Sequence, residues 1–232
     1  MKNKQESIPS VNEFIELENQ LSCPQGEMGI EVGKIMNESN LLMTLNSIEI
    51  LNIKNDDNVL EIGHGNCGHL EKLMIVAENI KYYGLEISET MWQEAQKINL
   101  NNNAEFYLYN GNDIPFSNNF FDRIFAVNSI YFWSNPKKLI EEIDRTLKSN
   151  GIFVVTFADK DFIKKLPYAG NKFRIYGKEK IEKLIMNTNL KISDIVKISD
   201  KNPNRIGDII EREYTIVKLE KQRDKDSTRI TD

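Results

Sequence analysis

Cysteine and histidine are scarce in this chain, with two of each among 232 residues. Cys23 and Cys67 cannot build a disulfide framework, so a reducing, cytoplasmic setting is the expectation. Together with His64 and His69 they fall short of a dedicated zinc site, and no metal is expected. No apolar run approaches the roughly 20 residues of a membrane span. The polar segment Met1-Lys2-Asn3-Lys4-Gln5 leads into no apolar stretch of the kind a secretory signal needs. Positive charge is not in excess: 30 Lys and Arg against 35 Asp and Glu give a formal charge of −5. That balance argues against a nucleic-acid partner, which calls for a basic face. Internal repeats and low-complexity linkers are missing as well. The composition, 40% hydrophobic and 28% charged, is that of an ordinary globular protein with a sizeable core. The oligomeric state is left open.

Apolar spacing predicts helices from Ser10 to about Leu51: one carrying Val11, Phe14, Ile15 and Leu17, one over Gly26–Met36, and one over Ser39–Leu51 with Leu41, Leu42, Leu45, Ile48 and Leu51 as its stripe. Strands and helices then alternate. Strands are expected at Val59–Ile62, Lys81–Glu86, Glu105–Tyr109, Phe121–Val127 and Ile152–Phe157. Helices are expected over Asn66–Ala77, Ser88–Ile98, Asn135 to about Lys148, and Lys178–Asn187. The alternation implies βαβ units and a mostly parallel sheet. Two late strands, Leu190–Ile198 and Ile209–Leu219, follow an irregular insertion. The expected architecture is an α/β, Rossmann-like, mostly parallel sheet with helices on both faces, a C-terminal antiparallel strand and an N-terminal helical cap. Its divisions are a cap over residues 1–54, the main domain over 55–220 with a lid-like insertion at 158–177, and a mobile tail at 221–232.

The chemistry centres on Leu60-Glu61-Ile62-Gly63-His64-Gly65-Asn66-Cys67-Gly68. Gly63, Gly65 and Gly68 form GxGxxG after a short apolar run, the pattern of a nucleotide-binding turn in an open α/β sheet. Glu61 selects among nucleotides. A dinucleotide offers no cation to a carboxylate there, whereas a sulfonium methyl donor carries an α-ammonium and a positive sulfur. The alternative is that Glu61 only caps N–H groups of the turn. Glu86 ends the next expected strand, where a carboxylate can accept both ribose hydroxyls. That feature is common to NAD and S-adenosylmethionine sites.

The glycine stretch resembles the first motif of class I S-adenosylmethionine-dependent methyltransferases. Tyr83-Gly84-Leu85-Glu86-Ile87-Ser88 resembles their second. Asn110-Gly111-Asn112-Asp113-Ile114-Pro115-Phe116 with Asn119-Phe120-Phe121-Asp122-Arg123-Ile124 is similar to the third and fourth, and Leu147-Lys148-Ser149-Asn150-Gly151-Ile152-Phe153 to the turn before the fifth strand. The order and spacing hold from about residue 55 to 160. The resemblance is to the small-molecule branch that includes quinone-biosynthesis methyltransferases. It implies S-adenosylmethionine as cofactor, S-adenosylhomocysteine as product and a small-molecule methyl acceptor. The implied cofactor residues are Glu61, Gly63, His64, Gly65, Gly68, Glu86, Ile87, Asn110, Gly111, Asn112, Asp113 and Asn128. Asn110 departs from the aspartate usual in the family, and Asp113 stands near enough to take part of its role. His64 departs from the usual small, Pro or Cys residue and reads as a turn residue rather than a base.

Asn128-Ser129-Ile130-Tyr131-Phe132-Trp133 follows the fourth strand and, by resemblance, lines the transfer site. Tyr131 and Trp133 read equally as an acceptor wall or as cover for the next helix. Tyr168, Arg174 and Tyr176 in the insertion form a second candidate wall. There Arg174 reads as a partner for an anionic acceptor or as a surface salt bridge. The turns Cys23–Glu27 and Met36–Asn40, the latter expected to join two helices, are further candidates. No histidine or aspartate marks itself as a general base. Rival readings are an NAD(P)-dependent oxidoreductase sharing the glycine turn, and a non-catalytic binding module of the same fold. A nucleic-acid methyltransferase fits the acidic charge poorly.

Overall fold

The computed structural model describes residues 10–166, 169, 172–203 and 209–223. The expectations for Tyr168, for the first nine residues and for most of the tail lie outside these. Seven strands form one sheet: β1 (Asn58–Ile62), β2 (Lys81–Glu86), β3 (Ala104–Leu108), β4 (Phe121–Val127), β5 (Leu147–Ala158), β6 (Leu190–Pro203) and β7 (Ile209–Lys221). Their spatial order is β3-β2-β1-β4-β5-β7-β6. The first five strands are mutually parallel, and β7 pairs antiparallel with both β5 and β6. Chain order reverses between β1 and β4, which opens a crevice at their carboxyl ends.

The helices are α1 (Val11–Ser22), α2 (Gly26–Leu51), α3 (Leu70–Met74), α4 (Glu89–Ile98), α5 (Pro136–Thr146), α6 (Lys160–Ile163) and α7 (Lys178–Ile185). Side chains set their starts. Ser10 and Glu13 form a reciprocal capping box on α1, Ser88 caps α4, and Asn135 with Pro136 opens α5. Strand alternation divides the core. Leu60 and Ile62 face the layer of α5 and α7, whereas Val59, Tyr82 and Val154 face that of α2 and α3.

Two expected elements are corrected. The break at Met36–Asn40 does not occur, because α2 runs unbroken for 26 residues. Within it Met43 is fully buried, while Leu42 of the expected stripe is exposed. The expected helix over Asn66–Ala77 shrinks to Leu70–Met74. Asn66 turns its side-chain oxygen onto the Gly68 amide, and Cys67 adopts a left-handed φ of 51°, so local turn chemistry displaces the first helical turn.

Candidate functional site

A cavity of about 400 Å³ occupies the crevice beyond β1, β2 and β4. Its floor is the glycine turn. Gly63 has φ +79°, and a Cβ there would lie 2.7 Å from the Ser129 Cβ. Only glycine lets the end of β1 approach the β4 loop this closely. Gly65 also has positive φ, and its amide donates to Glu86 Oε2 at 2.9 Å. Glu86 Oε1 accepts from the Ile87 and Ser88 amides at 2.8 and 3.0 Å. Three backbone donors therefore fix this carboxylate, which is 6% exposed, at the cavity edge.

Glu61 sits deeper. It shares a sheet face with Val59, whose register partner is Tyr82 of β2. Its Oε2 accepts from His69 Nε2 at 2.9 Å and from the Tyr82 hydroxyl at 2.5 Å. Burial works against its ionised form. The charge of His69 and the hydrogen bonds from His69 and Tyr82 outweigh burial and hold the carboxyl below its ordinary range. The expectation that Glu61 only caps turn amides is therefore corrected: its partners are side chains. Glu61, Cys67 and His69 place one donor atom each within 4.8 Å of one another. Burial pushes the Cys67 thiol well up, however, and its sulfur donates to the Tyr82 oxygen at 3.2 Å, so this cluster is a proton network.

His64 is packed. Its Nδ1 donates to the Gly65 carbonyl at 2.7 Å and its ring meets Phe106 edge-on. Nε2 is buried with no partner among the described residues, and burial drives the ring toward its neutral form.

The roof comes from elsewhere in the chain. Leu21, Ser22 and Pro24 contribute from α1 and the turn after it. Asn37, Asn40 and Thr44 contribute from one face of α2, at helical spacing. Asn40 Oδ1 accepts from Asn128 Nδ2 at 2.8 Å and from Arg212 Nη1 at 3.1 Å, and Arg212 is itself paired with buried Asp200. Phe132 and Trp133 close the far side, and Trp133 Nε1 is a buried donor without a partner among the described residues.

Of the expected site residues, Glu61, Gly63, His64, Gly65, Glu86, Ile87, Asn110, Gly111, Asn128 and Trp133 meet around this cavity. The others stand apart from its lining. Gly68 is exposed, against the Asn37 side chain. Asn110 Oδ1 accepts from the Asn112 and Asp113 amides, and Asp113 is turned outward to pair with Lys138. Asn112 accepts from the Ser134 hydroxyl. Tyr131 is buried in the core and bonds Asn128 and the Ala158 amide. Arg174 Nη1 donates to the carbonyls of Trp133 and Ser134, so this arm of its guanidinium braces a loop rather than forming the expected surface salt bridge. Tyr176 is buried near Phe157 and faces a separate hollow with Arg174. Pro24, Met36, Asn37 and Asn40, from the two candidate segments Cys23–Glu27 and Met36–Asn40, line the cavity, whereas His69 and Thr44 do so with no individual signal in the sequence.

Residues 60–155 match the family described as "Methyltransferase domain". This stretch is a methyltransferase domain. Among curated proteins, the chain is 24% identical over 129 residues to the uncharacterized methyltransferase YdaC of Bacillus subtilis, covering 56% of this chain and 71% of that one. It is 37% identical over 103 residues to the uncharacterized protein MJ1123 of Methanocaldococcus jannaschii, covering 44% and 45%. The methyltransferase domain also aligns in fold with solved structures. One chain of the Haloferax volcanii complex containing the Trm112 methyltransferase activator superposes with a TM-score of 0.72 at 15% identity, covering 83% of this chain and 93% of that one. A SAM-dependent methyltransferase from Aquifex aeolicus gives 0.66 at 20%, covering 82% and 97%. The [4+2]-cyclase SpnF gives 0.60 at 18%, covering 85% and 83%, so this fold also carries other chemistry. No helix among the described residues is long and apolar enough to cross a membrane.

Proposed function

We propose that the chain transfers a methyl group from S-adenosylmethionine to a small-molecule acceptor by direct in-line displacement. The observation that carries this reading is the roofed cavity. A volume of about 400 Å³ lies within the range of small-ligand pockets. Residues of α1, α2 and the aromatic loop after β4 line it from above. The residues present suit the cofactor: a buried carboxylate fixed at the end of β2, a glycine turn beside it, and an unpartnered Trp133 donor.

When bound, S-adenosylmethionine supplies a methyl group already activated by its positive sulfur. Glu86 accepts the ribose hydroxyls, while Gly63 and Gly65 allow close backbone approach. Ile87, Asn110 and Gly111 hold the adenine end. Asn128 faces the methionine part, and Phe132 and Trp133 wall the acceptor. The chain's contribution is proximity, orientation and exclusion of water. Helices α1 and α2 serve in this reading as the cap that closes the site.

Isothermal titration with S-adenosylhomocysteine tests the cofactor assignment, with NADH as the control ligand. The absence of S-adenosylhomocysteine binding at high micromolar concentration, or preferential NADH binding, defeats it. Incubation with methyl-labelled S-adenosylmethionine and separated small-molecule, protein and RNA fractions tests the acceptor class. Label appearing in RNA or protein rejects the small-molecule reading.

A further inference from the structure

We infer that His69, oriented by Glu61, takes the proton of the methyl acceptor, which makes the acceptor a nucleophile with an N–H, O–H or S–H group. This rests on the methyl-transfer reading above. His69 is 3% exposed and lines the cavity. The Glu61 carboxylate is held ionised, so the 2.9 Å contact requires the proton on His69 Nε2. In the neutral form of the ring the lone pair then lies on Nδ1, which has no hydrogen-bond partner among the described residues. A carboxylate fixing an imidazole tautomer is the arrangement by which histidine bases are oriented.

The neighbouring groups are unsuited to the task. Burial pushes Tyr82 and Cys67 well up, so both stay protonated. Glu61 already accepts two hydrogen bonds on one oxygen. His64 spends Nδ1 on a carbonyl, and its Nε2 is sealed against Gly84, where a Cβ would lie 2.6 Å from the ring. Position favours His69 as well. Its neighbour Gly68 abuts Asn37, and Asn40, one turn further along α2, bonds Asn128. His69 and the β4 loop residues Asn128, Phe132 and Trp133 therefore line one and the same cavity.

In the step, the acceptor heteroatom bonds to the methyl carbon as the carbon–sulfur bond breaks, and the electron pair of that bond stays on sulfur. The heteroatom's proton passes to Nδ1. Glu61 stabilises the imidazolium until it releases the proton to solvent. Glu61 is thus a positioning residue.

Long-range ¹H–¹⁵N spectra of the full chain, free and with S-adenosylhomocysteine, read the tautomer. Expected is a protonated Nε2 and a lone-pair Nδ1 in both states. An Nδ1–H tautomer in the free protein, or protonation of Nδ1 on ligand binding, overturns the inference. Glu61→Gln, whose amide can donate to the ring, is expected to move the proton to Nδ1; an unchanged tautomer removes Glu61 from the scheme. His69→Gln keeps a donor for Glu61 but cannot take the proton. It is expected to leave S-adenosylhomocysteine affinity within about threefold and to slow methyl transfer about 100-fold or more. A loss of affinity beyond about tenfold reassigns His69 to the cofactor and overturns the inference. So does a carbon-bound methyl in the ¹³C spectrum of the product. Absence of S-adenosylhomocysteine binding by the wild-type chain instead defeats the methyl-transfer reading, while the free-protein tautomer still judges the dyad.

Discussion

The floor of the cavity is made of backbone and buried carboxylates, whereas its roof is made of amides, methionine and aromatic rings. Glu86 is held by three amides from within 21 residues, and Glu61 by side chains from the adjoining strand and turn. The roof is tied together across the chain. Asn40 meets Asn128 and Arg212, which lie 88 and 172 residues away in sequence. Sheet register and a glycine turn suffice to place the floor, so its construction is local. The roof exists only once α2 lies across the sheet. In the proposed reading the cofactor end falls to the first construction and the acceptor end to the second.

Substitutions can break this contrast from its strongest point downward. Arg212→Ala should cost about 3–5 kcal/mol in denaturant unfolding, because it breaks the buried ion pair with Asp200 and frees the middle of α2. Gly63→Ala should cost about 2–4 kcal/mol in the same measurement, from left-handed strain plus the 2.7 Å clash with Ser129. Glu86→Ala should weaken S-adenosylhomocysteine about 10- to 100-fold by calorimetry, the worth of one or two charged hydrogen bonds. An unchanged affinity would remove Glu86 from the cofactor site.

The pH dependence of the floor has a definite sign. The Glu61 carboxyl is depressed in the folded chain relative to its ordinary 4.5. Its contribution to stability is complete above that value and is lost as pH falls through the lower folded one. Glu61→Gln should therefore flatten the acid limb of a stability-against-pH curve; an identical limb would contradict the buried ionised carboxylate. The smallest effect is expected at the roof's amides. Asn40→Ala removes an acceptor shared by Asn128 and Arg212 and should cost about 1 kcal/mol.

Much of the floor was legible because its residues are short-range. Gly63, Gly65 and Glu86 sit at fixed spacings from strands that hydrophobic runs reveal. Asn110, Asn112 and Asp113 were harder. All three lie in the expected loop, yet only Asn110 reaches the cavity, since Asn110 folds the turn back on itself and Lys138 draws Asp113 outward. The reading failed at Met36–Asn40, where Asn, Ser and Asn are weak helix formers. Asn37 against Gly68 and Asn40 against Asn128 supply tertiary contacts that override local propensity. Tyr131 looked available as linear sequence and proved occupied, because nothing in a chain's order announces a hydrogen bond to a distant backbone amide.

By itself the sequence determined the alternation that makes a doubly wound sheet and the glycine turn with its following acid. Both depend on periodicity and on backbone freedom, which are local properties. Tertiary structure alone decided that α2 continues over the crevice, that Glu61 spends its charge on His69 and Tyr82, and that His69 joins the cavity lining with one ring nitrogen unpartnered among the described residues. Those outcomes depend on which faces of separate elements meet, and packing settles that only when the whole core forms.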